Sequence, residues 1–159
     1  MRPSLPETRF EIIGTDADPE VLRRAEKGCF PSSSLENSPA NWRELAFTRD
    51  DDRYCVGAEY RGGIVFLLED IRSGIPRGPF DLILCRNLVF TYFELERQCE
   101  ISGRIAESLR DTGYLVIGAH ERLPEECNEF EPISGCREIL RKTQGSSDAV
   151  RKASSQHGE

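Results

Sequence analysis

Short apolar runs, separated by polar stretches and by turn residues, recur along the chain. Four of these runs are predicted to be buried strands because they are rich in β-branched and aromatic residues, and they are Phe10 to Thr15, Ile64 to Leu68, Phe80 to Cys85 and Tyr114 to Gly118. Helices or long connections alternate with them. This alternation predicts an α/β fold with a mainly parallel sheet covered on both faces, and Cys136 to Leu140 is predicted to add a final antiparallel strand.

The first predicted helix follows the first strand almost directly. Asp18 is a suitable N-cap, Pro19 fits the first helical position, and Glu20 complements the positive end of the helix dipole. The helix is expected to run to Lys27 and to end at Gly28, which tolerates the left-handed conformation of a helix end. Strand, turn and capped helix form an α/β unit.

The second predicted helix spans Glu94 to Arg110. Its apolar stripe has helical spacing and consists of Leu95, Cys99, Ser102, Ile105 and Leu109. The sequence from Asp111 to Gly113 is predicted to be the turn before the last apolar strand.

Two further segments have composition typical of loops and turns. The Ser- and Pro-rich sequence from Cys29 to Asn41 is predicted to be mostly loop. The acidic run from Asp50 to Asp52 lies between two short β-like runs and predicts an irregular hairpin.

Charge and composition narrow the class of protein. The chain has 159 residues, a length typical of one domain, and its net charge of -7 argues against a surface that binds nucleic acid. It has no apolar run long enough to cross a membrane and no signal peptide, so we expect a cytoplasmic protein without membrane insertion. There the six cysteines should stay reduced, and their spacing predicts no metal site.

Polar residues follow each predicted strand, at the edge where α/β sheets bind ligands. They are Asp16, Asp70 with Ile71, Cys85 to Asn87, and His120 with Glu121. A carboxylate in the place of Asp16 can accept hydrogen bonds from both hydroxyls of a ribose. Structural roles stay open for all of them, as turn or capping residues for Asp16, Asp70 and Asn87, a surface charge for Arg86 and a strand-end histidine for His120.

Three longer segments resemble one enzyme family in order and separation. They are GTDADPEVLRRAEKGCFPSSSL from Gly14, GPFDLILCRNLVFTYF from Gly78 and GYLVIGAHERL from Gly113. They are similar to the CheR-type S-adenosyl-L-methionine-dependent methyltransferases, which methylate protein glutamates. The resemblance implies a partial Rossmann-like class I methyltransferase sheet, lacking the first strand and the glycine-rich loop. It also implies a catalytic domain over residues 1–140, incomplete at its N-terminus, with a disordered polar tail over residues 141–159.

The resemblance also assigns residues to roles. Asp16 would hold the cofactor ribose, Asp70 and Ile71 would lie beside the adenine, and the cofactor pocket would be completed by Asn87 and Leu88. The expected catalytic residues are Arg86 and Tyr92, on the side of the accepting carboxylate. Transfer of an activated methyl group mostly requires alignment, and an arginine could align a carboxylate by a bidentate bond.

Other functions stay open at this point. The chain could be a non-catalytic remnant that acts as an interaction module, and we expect its own cofactor binding to be weak or absent without the glycine-rich loop. The acceptor could also be a small carboxylate, because one extra residue separates Asn87 from Tyr92 when compared with the family pattern. The sequence gives no indication of oligomeric state.

Overall fold

The computed structural model describes residues 9–143. The chain forms two compact units, one ending at Asp70 and one beginning at Ile71, within the range for which the sequence predicts a single domain. Each unit has its own sheets.

The first unit contains a parallel pair of strands. Strand β1 (Ile12–Asp16) pairs with β5 (Ile64–Leu68), in a register that runs from Ile12 opposite Ile64 to Asp16 opposite Leu68. Both strands were expected from their apolar patterns. Because the strands are parallel, their carboxyl ends lie at the same edge.

Helix α1 (Pro19–Lys27) confirms the predicted start and end. The carboxylate of Asp18 accepts a hydrogen bond of 2.8 Å from the backbone N–H of Glu20, as an N-cap does. Gly28 has φ of 62°, the left-handed conformation that glycine adopts without a Cβ penalty.

The segment after α1 is more regular than its composition predicts. Strand β2 (Cys29–Pro31) is followed by a 3-10 turn and by helix α2 (Ala40–Ala46). The prediction of mostly loop here is therefore wrong. Strand β2 forms because it pairs with a distant strand, which local composition does not reveal.

That distant strand belongs to the predicted hairpin, which the structure confirms. Strands β3 (Phe47–Asp50) and β4 (Arg53–Val56) are antiparallel, and Asp51 between them has a positive φ of 50°. With β2 they form a three-stranded sheet in the order β2-β4-β3.

The second unit is built on a four-stranded sheet in the order β6-β7-β9-β8. Its strands are β6 (Phe80–Leu84), β7 (Leu109–Val116), β8 (Phe130–Ile133) and β9 (Cys136–Lys142). β6 and β7 are parallel, whereas β9 is antiparallel to both β7 and β8. The predicted antiparallel strand from Cys136 is confirmed.

The fold is a mixed α/β structure, and the prediction of a mainly parallel sheet is wrong for the described residues. Two strand pairs there are parallel, β1–β5 and β6–β7, and the other four are antiparallel. Three of the antiparallel pairs are formed by the short strands β2 and β3, which pair with β4, and β8, which pairs with β9. The apolar runs alone do not indicate these short strands. The finer prediction, a Rossmann-like sheet without its first strand and glycine-rich loop, stays a prediction.

Two helices pack against the strands to form the core of the second unit. Helix α3 (Val89–Tyr92) is short, and helix α4 (Leu95–Ser108) lies within the predicted range of Glu94 to Arg110. The side chains that lose all or nearly all contact with solvent are Val89, Ile101, Ser102, Ile105, Leu115 and Ile117. The predicted apolar stripe is correct at its C-terminal end, but Leu95 is 46% exposed.

Strands β7 and β9 of this sheet are longer than expected. β7 begins at Leu109 and includes the residues predicted to form a turn, Asp111 to Gly113. β9 extends to Lys142, beyond the predicted start of the tail at position 141. Lys142 is buried, and its Nζ donates to the Leu109 carbonyl at 3.1 Å and lies 3.3 Å from Asp111 Oδ1. The rest of the predicted tail, residues 144–159, lies outside the described residues.

Four of the six cysteines are paired, contrary to the expectation that all stay reduced. Cys29 and Cys55 are register partners in β2 and β4, and they form a disulfide. Cys99 on α4 forms the second disulfide with Cys127. Cys85 and Cys136 are free. Both pairs join positions far apart in the sequence, so spacing alone did not reveal them.

Over residues 9–143, no helix is long and apolar enough to cross a membrane. Within the same residues, no three His, Cys, Asp or Glu side chains are grouped so that they could hold a metal ion.

Candidate functional site

In the first unit, two of the predicted site residues stand at one edge of the parallel pair. Asp16 is the last residue of β1, and Asp70 follows the end of β5. The backbone N–H of Glu69 donates to the Asp16 carbonyl at 3.1 Å, which joins the two strand ends. This is the edge at which α/β sheets bind ligands.

The Asp16 side chain makes a hydrogen bond within the turn that follows β1. Its Oδ1 accepts a hydrogen bond of 2.8 Å from the backbone N–H of Asp18, so the turn interpretation of Asp16 is correct. An ionised carboxylate has about four acceptor positions on its two oxygens. Capping the turn therefore leaves it chemically suited to accept hydrogen bonds from a ribose diol.

In the second unit, the other predicted residues follow the parallel strands β6 and β7. Arg86, Asn87 and Leu88 follow β6 after one intervening residue, Cys85, and all three are exposed. Asn87 has φ of 55°, a left-handed conformation that asparagine tolerates better than most residues. The division of the chain at position 70 also places Ile71 in this unit.

The carboxylate of Glu121 lies at the centre of the loops that follow β6 and β7. Its Oε2 accepts hydrogen bonds from the backbone N–H groups of Asn87 at 2.7 Å and Gly118 at 2.6 Å. Its Oε1 accepts from the Leu88 N–H at 3.1 Å and from the Thr91 hydroxyl at 2.7 Å. One side chain thus joins both strand-end loops and helix α3.

Glu121 is charged although it is only 4% exposed. Burial by itself raises the pKa of this carboxyl, but the hydrogen bonds from Thr91, Gly118, Asn87 and Leu88 together outweigh burial and lower the pKa below its ordinary value. The ionised form is therefore the one that the loops hold.

Gly118 leaves room for this arrangement. A Cβ at this position would lie 2.2 Å from Asn87 Oδ1 and 2.8 Å from Glu121 Oε2. Any other residue would displace both side chains, because those separations are well inside van der Waals contact.

The two residues predicted to be catalytic are both exposed. Tyr92 ends α3, is 74% exposed, and lines an open cavity together with Arg72, Phe93, Glu94, Glu96, Arg97 and Glu100. Of the described residues that line this cavity, none is Arg86. The cavity therefore does not bring the two predicted residues together.

Cys85, directly before Arg86, is not suited to act as a nucleophile. Burial, reinforced by the charge of Glu121, raises the pKa of the Cys85 thiol to about 11, against the smaller opposing effect of a hydrogen bond with the Val89 backbone. The thiolate is the reactive form, so this cysteine is inert near neutral pH.

In the sequence, Glu121 is recognisable only as a polar residue after a strand, and Thr91 and Gly118 were missed. Three of the four hydrogen bonds to Glu121 span long separations in the sequence, which are 34 residues for Asn87, 33 for Leu88 and 30 for Thr91. The only local signal was an acidic residue shortly after a glycine at a strand end, which is weak.

Comparison with known proteins identifies the family. The family model described as "CheR methyltransferase, SAM binding domain" matches residues 2–139. The chain belongs to this family of methyltransferases, whose cofactor is S-adenosylmethionine.

Similar proteins have related names. A "Chemotaxis protein methyltransferase" of Listeria monocytogenes is 35% identical over 123 residues, which cover 77% of this chain and 47% of that protein. The protein of the same name from Listeria innocua gives the same identity and coverage. The chain therefore spans about half the length of these curated relatives.

Solved structures are less informative. The structure of LepI in complex with SAM is 13% identical, with a TM-score of 0.42, and the match covers 93% of this chain and 31% of that one. At this TM-score the likeness bears on neither fold nor ligand.

Proposed function

We propose that this chain is the cofactor-binding part of a methyltransferase that transfers a methyl group from S-adenosylmethionine to a protein glutamate carboxylate. The observation that carries the proposal is the family match over residues 2–139. It is supported by the placement of the predicted residues at the carboxyl ends of parallel strands in both units.

We assign the cofactor-binding residues by the same resemblance. Asp16 accepts hydrogen bonds from the ribose hydroxyls, while Asp70 and Ile71 contact the adenine. Asn87 and Leu88 are assigned to cofactor binding in the second unit. The donor and acceptor types fit a nucleoside, because a carboxylate recognises a diol and an aliphatic side chain packs on a base.

The acceptor side is assigned to Arg86 and Tyr92. S-adenosylmethionine, when bound, supplies a sulfonium methyl group that is already activated for displacement. Arg86 holds the acceptor carboxylate by a bidentate bond, and Tyr92 orients it through its hydroxyl. No general base is needed, since a glutamate carboxylate is ionised near neutral pH.

The Asp16→Ala substitution tests the cofactor assignment. Loss of the Asp16 carboxylate should weaken binding of S-adenosylhomocysteine by about tenfold or more, because a hydrogen bond to a charged group contributes roughly 1.5–3 kcal/mol. The measurement is a titration of the isotopically labelled chain followed by NMR, which covers dissociation constants from micromolar to millimolar.

The matched control is Asp18→Ala, which removes the cap of the adjacent helix. It should cost about 1 kcal/mol of stability and leave the dissociation constant within about twofold of the original. Equal affinities of the Asp16→Ala variant and the unchanged chain would contradict the ribose assignment.

Methyl transfer tests the acceptor. With methyl-labelled S-adenosylmethionine and a glutamate-containing receptor peptide, we expect base-labile label on the peptide and about tenfold less of it with Arg86→Lys, which keeps the charge and loses the bidentate fork. Label on a free dicarboxylate but not on the peptide would indicate a small-molecule acceptor instead.

A further inference from the structure

We propose that Glu121 is a positioning residue for the cofactor pocket. Its carboxylate fixes the backbone on both sides of Asn87 and does not touch the cofactor itself. The inference rests on the proposed function, since Asn87 and Leu88 are there assigned to cofactor binding. It adds a residue that those assignments do not include.

The geometry of the hydrogen bonds supports this role. The N–H groups of Asn87 and Leu88 belong to the two peptide planes that flank the Asn87 Cα, and both point at the Glu121 carboxylate. With both planes held, the left-handed conformation of Asn87 and the direction of its side chain are fixed. That conformation is strained for a residue with a Cβ and persists where its surroundings hold it.

The same carboxylate holds two further elements. Gly118 follows β7, and Thr91 lies in α3, one residue before Tyr92. Glu121 thus sets the position of the loop after β6 relative to the loop after β7. Movement of either loop would break hydrogen bonds to a buried charge, which is costly.

A carboxylate suits this place because it accepts all four hydrogen bonds, two at each oxygen. The NH2 group of a glutamine would face either the N–H groups of Asn87 and Gly118 or the N–H of Leu88, and none of these can accept a hydrogen bond, whereas the Thr91 hydroxyl could. Glu121→Gln has almost the same volume, so it removes acceptor capacity with little change in packing.

The experiment compares Glu121→Gln with Glu129→Gln in the full chain. Glu129 also accepts a hydrogen bond from a buried side chain, Ser102 at 3.1 Å, but it holds neither of the loops after β6 and β7. Both variants thus lose a carboxylate in the same unit. The probe is S-adenosylhomocysteine, titrated by NMR, with the amide signals of residues 87, 88 and 118 as a second readout.

We expect Glu121→Gln to bind about tenfold or more weakly and to shift those three amide signals. Glu129→Gln should shift none of them and bind within about twofold of the unchanged chain. If Glu121→Gln does not fold, the inference is tested with Thr91→Val and Thr91→Ser instead. Thr91→Val removes one donor to the carboxylate and should weaken binding severalfold, and Thr91→Ser, which keeps the hydroxyl, should restore it.

Two results would overturn the inference. If the amide signals move and the affinity does not, Glu121 supports the loops without serving the cofactor. If Glu129→Gln weakens binding as much as Glu121→Gln, the effect is general destabilisation. A different result would contradict the proposed function itself: the unchanged chain would show no binding up to millimolar S-adenosylhomocysteine. The inference about Glu121 would then fail together with the proposed function.

Discussion

Replacing Ile101 by alanine should lower the free energy of unfolding of the second unit by about 3 kcal/mol. Ile101 is fully buried in helix α4, where it belongs to the hydrophobic cluster formed with residues of α3, β7 and β9. Removal of three carbons from such a position loses burial and leaves a cavity that the neighbours fill only in part. Amide hydrogen exchange of peptides from α4 and β7 measures the change.

Leu95→Ala is the matched control, because Leu95 begins the same helix and is 46% exposed. It should cost less than about 1 kcal/mol, since much of its surface is already in contact with water. A similar cost at both positions would mean that α4 does not pack as described.

Reduction of the disulfides should produce the second large effect, a loss of about 3–4 kcal/mol for each bridge. The two bridges close loops with sequence separations of 26 and 28, and the entropy that such a crosslink removes from the unfolded chain accounts for this magnitude. The first bridge acts in the unit that ends at Asp70 and the second in the unit that begins at Ile71.

Mass spectrometry of the denatured, alkylated chain tests the pairing directly. Without a reductant, only Cys85 and Cys136 should be modified, and with a reductant all six cysteines should be. Hydrogen exchange then gives the stability difference in each unit, with Cys136→Ser as the control that should change neither bridge. Modification of all six cysteines without reductant would show that the pairs are not formed.

The elements that were predicted correctly have local causes. Helix α1 has its cap, its proline and its terminal glycine within one continuous stretch, and β5 is a single apolar run. Such signals depend on neighbours in the sequence, so the sequence alone reveals them.

The elements that were missed depend on distant partners. β2 and β8 each contain a proline, which usually marks a loop, and both lie at an edge of their sheets, where a missing N–H is tolerated. The predicted turn residues, Asp111 to Gly113, form an irregularity inside β7, because the register with β6 shifts between Leu109, opposite Phe80, and Tyr114, opposite Leu82.

The candidate site shows the same division. The positions of Asp16 and Asn87 at strand ends followed from the apolar runs before them. The central place of Glu121 did not, because three of its four donors come from loops or helices that only the folded chain brings near.

The burial of Lys142 sets a limit on how the chain can be shortened. β9 lies between β7 and β8 in the sheet, and Lys142, its last residue, is buried. A protein trimmed before position 142 would lose a cation that neutralises Asp111 and holds the carbonyl of Leu109. Deletion libraries of this chain should therefore keep every residue through Lys142 if the second unit is to be recovered intact.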